Sequence, residues 1–423
     1  MELKKYKLGD LLQVTRGASL SGEYYATQGN YIRLTCGNFD YRNNCFKENQ
    51  SKDNIYYVGD FKEEFLLEKG DIITPLTEQA IGLLGSTARI PESGKYIQSQ
   101  DIAKIDCNES LLDKDFAFYL ISSACVKQQL SAAAQQTKIR HTSPDKIKEC
   151  TVWIPSLDIQ KRIGRILTDI DNKIAINRQI NDNLEAMAKQ LYDYWFVQFD
   201  FPNEEGKPYK SSGGAMVWNE KLHLSIPSNW EAIPLLEIMD YAGGSQPPAS
   251  EFIEEYRDGY VRFVQIRDYY SNSHITYIPI RKSNKLCAET DIMIARYGAS
   301  LGRICYGLNG AYNVALAKVS PKVKEYTEYL RIFLMSDGFY NKINSIGQRA
   351  AQAGFNKDDI ENILIPFPTN NRCIIEFNKK MQPYFFARLQ NDKEINTLTK
   401  QRDELLPLLM NGQAMVNYHL SAY

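Results

Sequence analysis

Histidine and closely paired cysteines, on which most protein metal sites depend, are scarce in this sequence. Its 423 residues include four histidines, and none of them stands in an H-E-x-x-H motif. The histidines are His141, His223, His274 and His419. Eight cysteines are scattered without a C-x-x-C pair: Cys36, Cys45, Cys107, Cys125, Cys150, Cys287, Cys305 and Cys373. We therefore expect no metal site, and we expect reduced thiols that are mostly buried, as in a cytoplasmic protein.

Long apolar runs and an excess of charge of one sign are also missing. No stretch approaches the roughly 18 apolar residues of a membrane helix, and MELKKYKLGDLLQV has no apolar core of signal-peptide length. The sequence therefore predicts a cytoplasmic protein with no membrane association. A net charge of −1 argues mildly against a domain that coats nucleic acid. With 43% hydrophobic and 24% charged residues, the composition is globular, and the length predicts two to four domains.

Sequence motifs for nucleotide binding, methyl transfer and nuclease catalysis are absent as well. The chain has no G-x-x-x-x-G-K-[ST] phosphate-binding loop. The nearest approach to the Asn/Asp-Pro-Pro-aromatic motif of amino-methyltransferases is Gln246-Pro247-Pro248, which lacks both the acid or amide and the aromatic residue. Pro144-Asp145 is not followed by the E-x-K that a nuclease would need. We therefore expect a chain with no catalytic residues of its own.

A long amphipathic helix is predicted directly after Pro155. Apolar residues recur there at steps of four and three, which is the heptad pattern of a coiled coil. The predicted seam consists of Ile159, Ile163, Ile166, Ile170, Ile180, Leu184, Met187, Leu191 and Tyr194, with Lys173 and Asn177 in the polar middle slots. About 40 residues would form a rod on the order of 60 Å, and its single apolar stripe requires a partner helix.

The predicted partner lies in the same chain. The Ile154-Pro155 pair recurs as Ile365-Pro366, and a second seam follows it. The apolar residues of that seam are Ile374, Phe377, Met381, Tyr384, Ile395 and Leu398, and its middle is polar, with Arg388 and Asn391. We expect the two helices to pair as an antiparallel coiled coil. Pro383 falls inside the second helix and is expected to kink or break it.

The repeat extends to the segments that precede the helices. Gly70-Asp71-Ile72-Ile73 matches Thr290-Asp291-Ile292-Met293, and each is followed by a glycine-broken loop, further strands and an amphipathic helix. The expected fold class is α+β, with two pseudo-repeated α/β domains separated by the two long helices. The predicted boundaries are a first domain at 1–155, a central helix at 156–199, a linker at 200–229, a second domain at 230–368, a distal helix at 369–412 and a tail at 413–423.

Two similar domains held apart by paired helices suit a target with repeating geometry. Duplex DNA is such a target, because half-sites about one helical turn apart present the same face to a two-fold reader. The framework residues of the two domains match and their loop residues differ, as expected if each reads a different half-site. A protein-binding coiled-coil scaffold without DNA binding is the alternative from a different functional class.

Several segments resemble one known family, the specificity subunits of type I restriction-modification systems. IPSLDIQKRIGRILTDIDNKIAINRQINDNLEAMAKQLYDYWF looks like the central region of these subunits, and FDFPNEEGKPYK looks like the connector after it. TDIMIARYGASLGRICYGLNGAYNVALAKV and SIGQRAAQAGFNKDDIENILIPFP resemble their target-recognition domains. The departures are Asn371 where the first copy has Gln160, a degenerate second seam, and Pro383.

This resemblance implies a non-catalytic subunit that reads a bipartite, gapped site in double-stranded DNA, with one half-site for each target-recognition domain. The helices would set the gap and dock two modification subunits, which methylate adenine at N6 with S-adenosylmethionine. Restriction subunits would add a motor-nuclease that uses ATP and Mg²⁺. All these cofactors are expected on the partner subunits. The recognition subunit of a type IIB-like restriction-methylation enzyme remains a second alternative, because the difference lies in the partner.

The side chains that read bases are Arg or Lys for guanine and Asn or Gln for adenine. We expect them on the face of each domain that carries the glycine-broken loop. In the first domain the predicted DNA-binding residues are Thr77, Gln79, Ser86, Lys138 and Arg140, with Gln98 and Gln100 as weaker candidates. In the second domain they are Arg262, Gln265, Arg267, Arg296, Tyr297, Ser300, Arg303, Gln348, Arg349, Gln352, Asn356 and Lys357. For each of them, an ordinary solvated side chain or a phosphate contact is the competing interpretation.

Overall fold

The computed structural model describes residues 2–50, 53–78, 82–134, 140–271, 274–347 and 354–414. The chain falls into two units, which are described separately. Unit 1 contains the residues up to Ala175 together with those from Ile395 onward, and unit 2 is Ile176–Glu394.

Unit 1 carries the first α/β domain and the start of the central helix. Its elements, in chain order, are β1 (Lys4–Lys7), α1 (Leu8–Leu11), β2 (Leu12–Arg16), β3 (Tyr25–Ala26), β4 (Tyr31–Arg33), β5 (Phe39–Asp40), β6 (Cys45–Phe46), β7 (Tyr56–Tyr57), β8 (Ile72–Pro75), β9 (Thr77–Glu78), β10 (Ala88–Arg89), β11 (Tyr96–Ile97), β12 (Ile102–Cys107), α2 (Lys114–Ile121), α3 (Ala124–Ala134), β13 (Arg140–His141), α4 (Pro144–Glu149), β14 (Thr151–Ile154) and α5 (Leu157–Tyr192), which ends in unit 2.

Unit 2 carries the second α/β domain and the start of the distal helix. Its elements are β15 (Met216–Asn219), β16 (Leu224–Pro227), β17 (Trp230–Pro234), β18 (Met239–Gly243), β19 (Tyr260–Val264), β20 (Tyr277–Pro279), β21 (Leu286–Cys287), β22 (Ile292–Ala295), β23 (Ile304–Cys305), β24 (Gly310–Tyr312), β25 (Leu316–Pro321), α6 (Thr327–Met335), α7 (Asp337–Gly347), α8 (Lys357–Glu361), β26 (Leu364–Pro368) and α9 (Arg372–Met410), which ends in unit 1.

The two units share the order of one four-stranded sheet and of three strands in a second sheet. In unit 1 the strand orders are β10-β8-β12-β2 and β11-β4-β7-β3, and β1 pairs with β14. In unit 2 they are β23-β22-β25-β18 and β21-β24-β19-β20, and β17 pairs with β26. In the second sheet β24-β19-β20 corresponds to β11-β4-β7, and the fourth strand lies at opposite edges, β3 beside β7 and β21 beside β24. One parallel pairing recurs in both, β4 with β11 and β19 with β24. The predicted α+β fold with an internal repeat is therefore confirmed.

The central sheet of each unit forms one wall of its hydrophobic core. β8 and β22 are buried along their whole length, because helices and strands cover both faces of these strands. In unit 1, α2 packs Phe116 and Leu120 into that core, and its first turn is capped by Asp113, whose Oδ1 accepts the Phe116 N–H at 2.9 Å. The core thus holds the loops at the strand ends in place.

The cysteines are free, and burial keeps several thiols protonated. Cys36, Cys150, Cys287, Cys305 and Cys373 are buried. Burial raises the pKa of Cys36, Cys150, Cys287 and Cys305 to about 11. These side chains therefore behave as small apolar groups at neutral pH.

The two long helices are antiparallel partners. In unit 1, the Arg402 guanidinium of α9 lies 2.9 Å from the Asp171 carboxylate of α5. In unit 2, Asn181 donates to Asp392 at 2.8 Å, and Arg388 lies 2.6 Å from Glu185. Residue numbers fall on α9 as they rise on α5, so the predicted antiparallel pairing is confirmed.

The predicted seam of α5 is only partly correct. Ile163 and Asn177 are buried as expected, whereas Ile180 is 42% exposed and Met187 is 50% exposed. The other predicted apolar members, Ile159, Ile166, Ile170, Leu184 and Leu191, are half-buried, and Tyr194 and Lys173 are exposed. The fully buried positions instead include Gln160, Leu167, Ile174, Asn181 and Tyr192. Most of the predicted seam therefore lies one position away from the buried face.

The physical reason for this error is a polar layer in the middle of the helix pair. Asn177 Nδ2 donates to Glu394 at 2.8 Å, and the side-chain oxygen of Asn181 accepts from Asn391 Nδ2 at 3.0 Å. These buried amides are satisfied across the pair, so they occupy the seam in place of apolar side chains. An apolar pattern cannot detect seam positions of this kind.

The second seam was predicted more accurately. Ile374, Phe377 and Met381 are buried, and Tyr384, Arg388, Asn391, Ile395 and Leu398 are half-buried. The expected break at Pro383 is wrong, because α9 is helical from Arg372 to Met410. Proline removes one backbone hydrogen bond to the carbonyl four residues earlier, at Lys379. Both residues are exposed, so water can satisfy that carbonyl.

Gly164 lies where α5 packs closely against the first turn of α2. A Cβ at this position would lie 2.6 Å from the Phe116 nitrogen and 2.8 Å from Asp113 Oδ1, the capping oxygen of α2. The Phe116 nitrogen belongs to the backbone, and the Asp113 oxygen already caps α2, so neither atom can move away easily.

We expect Gly164→Ala to lower the free energy of unfolding by about 2 kcal/mol, because overpacking outweighs the better helix propensity of alanine. Gly338, in α7, is the matched control, since an added Cβ there would meet only Ser336 Oγ, at 4.0 Å. Gly338→Ala should be neutral or slightly stabilising. Urea unfolding of both variants measures this, and equal effects would contradict the close approach at Gly164.

Candidate nucleic-acid interface

In unit 2, the glycine-broken loop between β22 and β23 presents polar and aromatic side chains to solvent. Its base is closed by the Gly302 N–H, which donates to the Ala295 carbonyl at 2.9 Å. Gly298 has φ +72° and open space where a Cβ would lie, so this glycine serves backbone conformation and not packing. The turn leaves Tyr297 37% exposed and Ser300 half-buried. The loop is therefore a rigid, partly aromatic projection.

Arg303, at the end of this loop, is stacked on Tyr270. The guanidinium carbon lies 3.8 Å from the Tyr270 ring centroid, well within the range of a cation–π contact. The Tyr270 hydroxyl lies 3.3 Å from Ser300 Oγ, which ties the ring to the same loop. Tyr270 is 57% exposed. The structure thus brings together two predicted residues, Ser300 and Arg303, with a tyrosine that the sequence did not single out.

Arg296 supports the neighbouring Tyr297. Its Nη1 donates to the Val314 carbonyl at 3.2 Å, and its guanidinium carbon lies 4.9 Å from the Tyr297 ring centroid. Burial raises the pKa of the nearby Tyr241, and the Arg296 cation opposes that rise. Arg296 is half-buried, so its main contacts are within the fold.

Equivalent positions of the two units carry different side chains. In unit 1, Leu76 N donates to Asp101 O at 2.8 Å, and in unit 2, Arg296 N donates to Ala315 O at 2.9 Å. The next residue of each loop is Thr77 or Tyr297, and each pairs with a residue on a neighbouring segment. Thr77 faces His141, and Tyr297 faces Gly354.

The sizes of these paired side chains are complementary. A Cβ on Gly354 would lie 2.5 Å from the Tyr297 ring, so the glycine makes room for the tyrosine. In unit 1 the smaller Thr77 leaves room for the exposed His141, whose Nδ1 lies 3.3 Å from Thr77 Oγ1. The same framework therefore presents a tyrosine in one unit and a histidine in the other. His141 was not among the predicted interface residues.

Two predictions in unit 1 are wrong because the side chains are buried. Ser86 is 0% exposed, and its hydroxyl donates to the Leu83 carbonyl at 2.6 Å. Thr77 is buried, and its hydroxyl donates to Asp101 Oδ1 at 3.2 Å. Gln98 is also buried, donating to Thr15 O at 2.7 Å, whereas Gln100 is exposed.

Arg140 is half-buried and already paired. Its Nη1 lies 3.4 Å from Glu78 Oε2 and donates to Ser131 Oγ at 3.2 Å. Contact with DNA would compete with the Glu78 carboxylate. Five further predicted residues lie outside the described part of the chain: Gln79, Lys138, Gln348, Arg349 and Gln352.

The remaining candidates of unit 2 fall into two groups. Arg267 and Lys357 are exposed, with Arg267 Nε 3.9 Å from Asp268. Gln265 and Arg262 are half-buried, and the Gln265 amide donates to Thr276 Oγ1 at 3.2 Å. Asn356 is exposed, and its side-chain oxygen accepts the backbone N–H groups of Asp358 and Asp359 and caps α8.

Comparison with known proteins finds the same family match in each of the two repeated halves of the chain. The family model described as "Type I restriction modification DNA specificity domain" matches residues 1–186 and again residues 227–402. The chain belongs to this family. The resemblance found in the sequence is therefore confirmed, and both copies of the repeat carry it.

Relatives of this family are similar along most of their length. The type I restriction enzyme MjaIX specificity subunit of Methanocaldococcus jannaschii is 25% identical over 356 residues, covering 79% of this chain and 78% of the relative. The HindI specificity subunit of Haemophilus influenzae is 22% identical, covering 97% and 99%. The crystal structure of a type I restriction-modification S subunit from M. genitalium matches with a TM-score of 0.61 at 18% identity, covering 97% and 96%, which shows a shared fold.

None of the helices in the described ranges is both long and apolar enough to cross a membrane. Within the same ranges, no cluster of three or more His, Cys, Asp or Glu side chains is arranged to hold a metal ion.

Proposed function

We propose that this chain is the sequence-reading subunit of a type I restriction-modification enzyme and that it recognises a bipartite, gapped site in double-stranded DNA. Each α/β domain would read one half-site. The observation that carries this proposal is the double match to one DNA specificity domain on two units that share the order of one four-stranded sheet. The relatives, which are described as specificity subunits, support it.

Differences between the two loop surfaces support two different half-sites. Unit 2 presents Tyr297, with Arg303 stacked on Tyr270, whereas unit 1 presents His141 at the position of Gly354. Base identity is read by side chains that reach base edges, so different side chains on one framework read different sequences.

An exposed apolar stripe on α5 supports docking of modification subunits. Ile176, Ile180 and Met187 of α5 are exposed at steps of four and seven, which places them on one helix face. Tyr194 is exposed as well and lies in the π-helical turn Asp193–Val197 that directly follows α5. Exposed apolar patches of this kind mark protein interfaces. The groove beside Met187 and Tyr194 is also lined by Tyr384 of α9. We propose that two modification subunits dock on the long helices.

Chemistry would belong to those partners. The modification subunits would bring S-adenosylmethionine for N6-adenine methylation, and restriction subunits would bring ATP and Mg²⁺. Partners would also supply part of the positive surface that grips phosphates, because this chain has a net charge of −1.

The same stripe is equally suited to the alternative, a coiled-coil scaffold that binds only proteins. Salt-dependent binding to duplex DNA by the assembled complex separates the two, since a scaffold would show none. The type IIB-like alternative depends on whether the partner polypeptide carries both the methyltransferase and the nuclease.

A methylome tests the proposal. The chain is expressed with its modification subunit in a host that lacks adenine methylation, and N6-methyladenine is mapped along the genome. We expect a gapped two-part motif that disappears when either protein is omitted. A complex that assembles but adds no methylation would support the scaffold.

Exchange of residues 230–368 for those of another family member tests the assignment of half-sites. We expect one half-site to change, with the other half-site and the gap retained. A change in both half-sites would contradict the assignment of one half-site to each domain.

A further inference from the structure

The Arg303–Tyr270 stack in unit 2 has the geometry of a base-reading group, and this inference rests on the proposed function. Stacking on the ring at 3.8 Å fixes the plane of the guanidinium, while Ser300 holds the ring through its hydroxyl. A guanidinium fixed in one plane offers its two N–H edges as a fork. The Arg303 side chain therefore needs little further ordering to bind a flat group that carries two hydrogen-bond acceptors.

The Arg303 guanidinium also lacks the carboxylate partner that other arginines of unit 2 have. Arg331 pairs with Glu328 at 2.9 Å, and Arg281 pairs with Glu251 at 2.8 Å. No ion pair joins Arg303 to a carboxylate within the described residues, and its Nη1 is shielded from solvent without a hydrogen-bond partner there. Nη1 is thus turned into the fold, which leaves the Nε and Nη2 edge of the guanidinium for a ligand.

The surroundings of Arg303 favour a flat base edge. Arg303 lines a concavity with Tyr270, Ser300, Asp337 and Tyr340. The Asp337 carboxylate is paired with Lys189 Nζ at 2.7 Å, so it leaves no unpaired charge beside Arg303. Tyr270 and Tyr340 are exposed and supply flat apolar surface beside it.

We propose that Arg303 reads a guanine in the half-site of unit 2 by donating two hydrogen bonds to O6 and N7 in the major groove. Tyr270 is a positioning residue that holds the guanidinium plane. Arginine bound in this way to guanine is the commonest specific contact in DNA recognition, and it excludes adenine, whose N6 amino group is a donor.

The test compares five variants in the complex with the modification subunit, using the methylome and competition binding to duplexes that differ at one half-site position. Arg303→Ala should lose at least about 10-fold discrimination at one guanine, and Arg303→Lys should lose less, because lysine still donates to guanine but has no planar fork. Tyr270→Leu should relax the same position, and Tyr270→Phe should retain specificity. Arg257→Ala is the matched control, an exposed arginine whose guanidinium carbon lies 6.0 Å from the Tyr260 ring centroid, and it should change no position.

Three results would overturn the inference. Binding by Arg303→Ala that weakens equally for all sequences would identify a phosphate contact. If Arg303→Ala methylated the same DNA motif as the wild-type complex, Arg303 would have no role in base readout. Relaxation at a position other than guanine would reject the base assignment. Failure of the proposed function is distinguishable, because the wild-type complex would then produce no gapped motif at all.

Discussion

Arg402→Ala is expected to lower the free energy of unfolding of unit 1 by about 3 kcal/mol, since it removes a buried guanidinium from its ion pair with the half-buried Asp171 and leaves that carboxylate without its cation. Arg402 is buried, its Nη1 donates to Asp171 at 2.9 Å and to the Asn43 carbonyl at 3.2 Å, and its Nη2 lies 2.8 Å from Asp403. Tyr119 donates to the other Asp171 oxygen at 2.7 Å. One arginine thus links α9 to α5 and to the first domain.

The Tyr119 side chain cannot compensate for this loss. Burial and the neighbouring Asp171 carboxylate raise the pKa of Tyr119, so the phenol stays protonated and remains a donor. It cannot replace the positive charge that the substitution removes, and Asp171 would keep one hydrogen bond and lose its cation.

Lys400 is the matched control for Arg402. It lies on the same helix and pairs with Glu404 at 3.9 Å, and both side chains are mostly exposed. Lys400→Ala should change the free energy of unfolding by no more than about 0.5 kcal/mol. Urea unfolding followed by circular dichroism gives the values, and hydrogen exchange of α2 and α9 locates the loss. Equal effects of the two substitutions would show that the Arg402 network contributes no stability.

Four residues inserted into both long helices are expected to lengthen the gap between the half-sites by about one or two base pairs. Four helical residues rise about 6 Å, and one base pair of duplex DNA rises about 3.4 Å. The insertions belong between Arg178 and Gln179 in α5 and between Asp392 and Lys393 in α9. Both sites fall between the Asn177–Glu394 and Asn181–Asp392 hydrogen bonds. The methylome of the complex reads the gap directly.

An insertion in α5 alone is the control for this design. It would displace one set of polar partners by about a turn, and each buried amide left without a partner costs about 1–3 kcal/mol. We expect reduced stability and little methylation from that variant. Half-sites that change while the gap stays constant in the doubly extended protein would mean that the helices do not set the spacing.

Some features of the candidate interface could be predicted from the sequence, and others could not. The glycine-broken loop at 296–303 was identified from its glycines, and Arg303 and Ser300 lie on it as expected. Ser86, in the corresponding loop of unit 1, was chosen by the same reasoning and is fully buried. Glycine spacing predicts a turn, but the packing around the turn decides which side chains face solvent.

The sequence by itself determined the duplication, the two long helices and the family, because these depend on local periodicity and on motif order along the chain. Only the tertiary structure decided the face of each helix and the partner of each loop side chain. Asn177 and Asn181 lie in the seam because Glu394 and Asp392 satisfy them, and Ile180 is exposed as a consequence. Arg303 and Tyr270 meet only when β19 and β22 are in place. Burial and pairing depend on residues distant in the chain, and periodicity carries no information about them.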